Sequence, residues 1–393
     1  MASNMKIVIF GLSISSAWGN GHATTFRAIC KALHRRRHDV VFFEHNAEWY
    51  EHNRDLPEPP FCTLKIFEDW NEILPTVRAE LRDADVAIVG SYFPDGVAAL
   101  DEVLDSNVPV KAFYDIDTPI TLAALGCDGK TDYLLPRHLP QLDIYCSFTG
   151  GPMLKELETR FGVPMAVPLY CSVDPEKYYE RPPSREFQCD LSYLGTYAPD
   201  RQPKIQELLC RPAAHLPQKK FIVAGAQYPP AIEWPDNVER SIHLNPRHHA
   251  DLYCSSRLVL NVTRRQMVMA GYSPSVRLFE AAACGATLIS DNWAGLEHFF
   301  LPGKEILLPQ DADDVCRYLT QADSSQLHRI GQAARERVLA AHTNDIRAQE
   351  FEKAVEMVAK KQVTGRDPTL APQPYGSPSL VCTDGAPANR ENR

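Results

Sequence analysis

No apolar run in this 393-residue chain reaches the roughly 20 residues that a helix needs to cross a bilayer. Paired cysteines are missing as well. The 11 cysteines are odd in number, singly scattered and nowhere spaced as C-x-x-C, which excludes the usual structural zinc patterns and a secreted disulfide framework. Several, such as Cys146 and Cys284, lie in apolar runs where a reduced thiol packs as a small hydrophobe. That usage fits a reducing, cytoplasmic compartment, and the opening residues show no charged-then-apolar signal segment. An excess of basic charge is absent too. The formal net charge of -9 argues against general nucleic-acid binding. One basic run, His34 to His38, reads as the cationic last turn of a helix, with attraction to an anionic membrane or acceptor as the other reading. Glycine spacing after Gly11 makes no G-x-G-x-x-G fingerprint, so a nicotinamide cofactor has little support, and neither a helical H-E-x-x-H nor a Ser-His-Asp order can be assembled.

What is present is an ordinary soluble composition, with 44% hydrophobic and 23% charged residues, and enough length for two domains. Short β-branched runs alternate with helical patterns. Lys6–Phe10, Asp39–Glu44, Asp85–Val89, Val108–Tyr114 and Leu142–Ser147 read as strands, and their continuous apolar character suits strands covered on both faces. Helices are expected over His22–Arg36, Val97–Leu104 and Pro152–Phe161. Proline recurs without period between Val163 and Pro183, the texture of an interdomain connection. A second series follows, with strands at Cys189–Leu194, Lys219–Ala224, Ser241–Leu244, Leu258–Val262 and Glu305–Leu308. The expected boundaries are a first Rossmann-like domain at 1–168, a linker at 169–187, a second domain at 188–343, a closing helix at 344–361 and a disordered tail at 362–393.

The densest chemistry lies in Ser275-Val-Arg-Leu-Phe-Glu-Ala-Ala-Ala-Cys-Gly285. It reads as an amphipathic helix of small residues that carries one carboxylate, Glu280. Such a carboxylate is costly in an apolar setting unless something bonds to it. Arg277 is one candidate partner, and the adjacent hydroxyls of a ribose are another. Ser275 is a candidate N-cap beside which backbone amides meet phosphate. Other candidates fall just after strands, where ligands of tandem parallel sheets bind. Gly19, Gly21 and His22 precede the first helix. Asp115 and Asp117 end a strand, either as ligands for hydroxyls or as turn and cap residues. Gly195, Tyr197 and Arg201 form a loop suited to a diphosphate, and Asp291 follows the strand after the Glu280 helix.

The segments Pro274–Gly285, Thr287–Asp291, Gly295–Glu297 and Pro302–Glu305, with Leu194-Gly-Thr-Tyr197 and Arg201, resemble the donor-binding half of GT-B glycosyltransferases. The chain is most similar to the CgeB-like branch of the group-1 glycosyltransferases. The likeness covers about residues 188–342, and in the first half rests on Gly19-Asn-Gly-His22 and Asp115-Ile-Asp-Thr-Pro119. It implies an α/β fold of two Rossmann-like parallel-sheet domains facing a cleft. It implies a nucleotide-sugar donor (UDP-sugar first, GDP- or dTDP-sugar otherwise) and an unidentified small-molecule, lipid or glycan acceptor. Glu280 would hold the ribose, and Arg201 with Ser275 or Arg277 would neutralise the diphosphate, with no bound metal and no other cofactor. The chain departs from the wider clan at Tyr272, eight positions before Glu280, where many members carry a second glutamate. Retention is the favoured outcome, with His22 or Asp117 as the base if the reaction inverts. A nucleotide-sugar epimerase or hydrolase, and a non-catalytic nucleotide-sugar-binding protein, are the alternatives.

Overall fold

The computed structural model describes residues 4–17 and 21–364. Seven strands build the first sheet: β1 (Lys6–Phe10), β2 (Asp39–His45), β3 (Thr63–Phe67), β4 (Val86–Gly90), β5 (Val110–Asp115), β6 (Ile144–Ser147) and β7 (Ala166–Pro168). Five build the second: β8 (Cys189–Leu194), β9 (Phe221–Ala224), β10 (Val238–Ser241), β11 (Ser256–Asn261) and β12 (Leu288–Ser290). Every pairing is parallel. Ile7, Ile9 and Ile88 pack on one face of the first sheet, and Val8, Phe10 and Val89 on the other. This is why these runs lack a polar face.

The strand orders are β3-β2-β1-β4-β5-β6-β7 and β10-β9-β8-β11-β12. The order reverses between β1 and β4 in one sheet and between β8 and β11 in the other. Loops leave such points in opposite directions and open a crevice at the strands' carboxyl ends.

Four strand readings need correction. β7 lies inside the proline-rich stretch read as irregular, and it is an edge strand, the one place in a sheet where Pro168 is tolerated. β3 was not expected, because Lys65 interrupts a short, half-buried run at the opposite edge. β10 ends at Ser241 rather than starting there, and Glu305–Leu308 supplies only isolated bridges, Leu307 with Ile289 and Ile306 with Pro302. The tail beyond 364 lies outside the described residues.

The last helix, Asn344–Thr364, packs back on the first domain against helix His22–Arg35. Phe351, Val355 and Val358 join the core there. Part of the basic run is engaged here. Arg36 donates to both Glu352 oxygens at 2.5 and 2.6 Å, and Arg35 pairs with Glu176 and Asp345. His38 Nδ1 accepts the Met5 N–H at 3.1 Å, so its proton sits on Nε2 and is donated to Glu352 at 2.7 Å. The chain crosses between sheets twice, and the two crossings are hydrogen-bonded to each other. Val173 N–H donates to His342 O at 3.0 Å, and Asn344 N–H to Val173 O at 3.0 Å. The Arg347 guanidinium clamps them, donating to the carbonyls of Tyr170, Cys171 and Ala341.

Glu352→Ala strands a buried imidazole and a guanidinium. It should cost about 1–3 kcal/mol and lower the apparent melting temperature by several degrees in a thermal scan. A Glu352→Ala protein that melts with the wild type would show that this anchor contributes nothing.

Candidate functional site

The second sheet supplies a crevice lined with positive charge. Gly195 N–H donates to Ala224 O at 2.9 Å, and a Cβ on Gly225 would collide with the Gly195 carbonyl. Glycine at both positions therefore lets the loops after β8 and β9 touch. A Cβ on Gly195 would lie 2.7 Å from Arg277 Nη2. Arg277 donates to Leu194 O and, at 2.9 Å, to Asn261 Oδ1, and its guanidinium lies 4.9 Å from the Tyr193 ring centroid. Arg201 Nη2 donates to Thr196 O at 2.6 Å, while its buried Nε has no partner among the described residues. Burial, with repulsion from Arg277 and Arg264, holds the Arg201 guanidinium below its ordinary value. Among the described residues none of these three arginines meets a carboxylate at ion-pair distance. Arg201 and Arg277 are half-buried and Arg264 is exposed. A partly desolvated cation without counter-charge is costly, so the crevice is poised for an anion.

The helix Val276–Ala283 starts at this charge. Ser275 does not cap it. Its hydroxyl donates instead to Asn261 Oδ1 at 2.7 Å, and no side chain caps the first turn. The alternative of an Arg277–Glu280 pair does not form either, because the guanidinium is committed to Leu194 and Asn261. Glu280 is 7% exposed, beneath Tyr253 and Tyr178. Tyr253 OH donates to Oε2 at 3.3 Å. Burial raises the carboxyl, and the bonds from Tyr178 and Tyr253 and the fields of Arg277 and Lys177 oppose that rise. A carboxylate with long phenol bonds and no ion pair keeps acceptor capacity.

Asp291 serves the frame of the site. Its Oδ1 accepts from Thr263 N–H and Oγ1, both at 3.0 Å, and from Ser290 Oγ at 3.3 Å. This ties the loop bearing Arg264 to the end of β12. Tyr197 is held by its N–H to Ala226 O at 2.9 Å, and its ring meets Tyr228 at 5.5 Å. Tyr228 in turn meets Trp234 at 5.3 Å, with the Arg240 guanidinium against both rings. These three residues went unread in the sequence, since scattered aromatics in a loop carry no period.

Across the crevice, His22 opens its helix with Nδ1 buried and without a partner among the described residues. Its ring meets Tyr92 edge-on at 5.3 Å. Burial lowers its pKa, and the field of Asp117 opposes this. Gly21 has an ordinary φ of -82°, and a Cβ there would meet nothing within 4 Å. Gly19 lies outside the described residues. The two aspartates part company. Asp115 is fully buried, accepting from Tyr145 OH, from Thr121 Oγ1 at 3.1 Å and from Asp117 N–H at 3.1 Å, and burial raises its carboxyl to about 6. Asp117 ends up beside His22 and Tyr92. Among the described residues no group of three or more His, Cys, Asp or Glu is placed to hold a metal ion.

The two halves meet around Tyr272. Gly150 N–H donates to Tyr272 O at 3.0 Å, and Thr149 Oγ1 and Ser273 Oγ are 3.0 Å apart. The Tyr272 ring occupies the space above Gly151 and Gly295, where a Cβ would collide with it. Its φ of +47° is unusual for a residue with a side chain. Tyr92, with φ +63°, feels the field of Arg264 from the other domain. The first-domain group His22, Tyr92 and Asp117 thus reaches Arg264 of the second through Tyr92.

Asp115 has a carboxyl near 6 folded against 3.8 as its ordinary value. A raised folded pKa gives stability that is present below pH 3.8 and lost as pH rises through 6. Asp115→Asn should therefore show a melting temperature that changes less than that of the wild type across this window. Parallel pH curves for the two proteins would contradict the assignment.

Residues 201–353 match the model of the Glycosyl transferase-like family. No curated protein matches the chain. Among solved structures, sucrose-phosphate synthase from Thermosynechococcus elongatus is similar at 14% identity and a TM-score of 0.65, covering 93% of this chain and 100% of that one. HepE from Anabaena, in complex with UDP and glucose, is 12% identical with a TM-score of 0.64, covering 90% and 100%. An alpha-glucosyltransferase in complex with UDP-glucose and DNA containing an abasic site is 12% identical with a TM-score of 0.65, again covering 90% and 100%. The fold is that of the GT-B glycosyltransferases, two parallel-sheet domains with a crevice between them.

Proposed function

We propose that the chain transfers a sugar from a nucleotide-sugar donor to an acceptor hydroxyl or amine. The observation that carries this reading is the pairing, on one helix, of uncompensated positive charge at its start with a buried carboxylate that has no ion pair. A sugar nucleotide presents the complementary pair, a diphosphate and a ribose diol. Glu280 accepts from the ribose hydroxyls. Arg201, Arg277 and the uncapped amides of helix Val276–Ala283 neutralise the diphosphate, and Ser275 holds Asn261 and through it Arg277. Tyr197 and Tyr228 border the base. The leaving diphosphate gains charge as the glycosidic bond breaks, so donors already aimed at it favour the transition state over the ground state. With guanidinium groups doing this work, the proposed reaction needs no metal. UDP-sugars are the first choice of donor, on the analogy of the UDP complexes of HepE and the alpha-glucosyltransferase.

His22 and Asp117 face the sugar from the first domain. A retaining course is favoured, with His22 kept neutral as a hydrogen-bond partner of the sugar. The field of Asp117 on His22 supports an inverting course as the second reading, in which His22 takes the acceptor's proton. Tyr272 fills the position of the clan's second glutamate and packs between glycines, so a two-carboxylate mechanism does not apply. The domains are taken as 1–168 and 188–343, with the crossings at 169–187 and before Asn344 as the hinge.

Titration calorimetry with UDP tests the site. Wild type should bind. Glu280→Ala should lose about 1–3 kcal/mol, and Arg201→Ala should weaken binding and flatten its salt dependence. Unchanged binding in both variants would remove the site. Product analysis with donor alone and with an acceptor panel separates transfer from hydrolysis, epimerisation and simple binding.

A further inference from the structure

Two thiols lie directly behind the Glu280 pocket. Cys254 is on helix His249–Ser255, next to Tyr253, whose hydroxyl bonds Glu280. Cys284 is the C-cap of the Glu280 helix, one turn beyond the carboxylate. Both are free, and each thiol is the largest influence on the ionisation of the other. The Cys254 sulfur also lies 3.7 Å from the Cys284 carbonyl oxygen and 3.6 Å from that of Tyr179. Cys254 is half-buried and reachable from solvent, whereas Cys284 is buried behind it.

The geometry points to Cys254 and Cys284 as a reversible dithiol–disulfide pair, oxidised by hydroperoxides, whose closure weakens nucleotide binding at Glu280. The second half rests on the proposed donor site, and the first half does not. The chemistry favours Cys254 as the attacking group. The influence of Cys284 and the Arg181 backbone N–H, which donates to its sulfur at 3.3 Å, both favour the thiolate. The same contact and burial push the Cys284 thiol up. Buried Cys30, Cys146 and Cys171 are also raised by burial and have no such activation.

In the first step the Cys254 thiolate attacks one oxygen of hydrogen peroxide. An S–O bond forms, the O–O bond breaks, and hydroxide leaves as water with the proton released from Cys254, giving a sulfenic acid. In the second step the Cys284 sulfur attacks the sulfenic sulfur. The S–S bond forms, the S–O bond breaks, and hydroxide leaves as a second water with the proton of Cys284. Two thiols lose two electrons and two protons, and one peroxide becomes two waters. Closure draws the helix of Tyr253 against the end of the Glu280 helix and disturbs the bond from Tyr253 to the carboxylate.

The test treats the full-length protein with hydrogen peroxide, alkylates the remaining thiols and maps peptides by mass spectrometry, with UDP binding measured in parallel. The expected result is one cross-linked pair of peptides containing Cys254 and Cys284, reversed by dithiothreitol, with UDP binding about five- to tenfold weaker, the worth of roughly one hydrogen bond. Cys254→Ser should abolish both changes. Cys284→Ala should stop at a trappable sulfenic acid on Cys254. Free alkylation of both cysteines after treatment would overturn the pair. A cross-linked protein with undiminished UDP affinity would overturn its coupling to the site. A reduced protein that never binds UDP would sink the donor-site reading, and with it that coupling, leaving the pair to stand or fall on the cross-link alone.

Discussion

Uncompensated charge in a confined space is the constraint on which the rest of this molecule depends. Arg201, Arg264 and Arg277 converge where the second sheet reverses its strand order, and no carboxylate among the described residues pairs with them. The surrounding structure holds these cations in place at a cost to stability. Asn261 and the Leu194 carbonyl grip Arg277, and the Thr196 carbonyl grips Arg201. Asp291, at the end of β12, is turned to Thr263 and Ser290. The field is thereby left unquenched by the protein's own carboxylates.

The buried groups of the first domain follow a different economy. Asp115 is satisfied by a tyrosine, a threonine and a backbone amide, and it anchors the end of β5. Asp117, two residues on, lies instead within the field of His22 and Tyr92.

Much of this was legible in the sequence, for identifiable reasons. The Glu280 segment stood out because a lone carboxylate in a run of alanines contradicts its own environment, and the carboxyl ends of apolar runs locate a crevice in any parallel sheet. What stayed hidden was tertiary. β7 depends on an edge position that prolines disguise. Ser275 looks like a cap but prefers Asn261, fourteen residues away in sequence. Arg277 sits one helical turn from Glu280 yet turns to β8, because Tyr193 offers its ring and Leu194 its carbonyl. Tyr92 and Tyr272 have backbone conformations that no composition announces.

The two crossings between the sheets run side by side, joined at Val173 and Asn344 and clamped by Arg347. A pair of chains bonded edge to edge behaves as a ribbon rather than as a thread. A ribbon flexes about an axis lying in its plane and resists sliding along its length. The lobes of such a protein would be steered along a single arc, so that the same side chains return to register each time they meet.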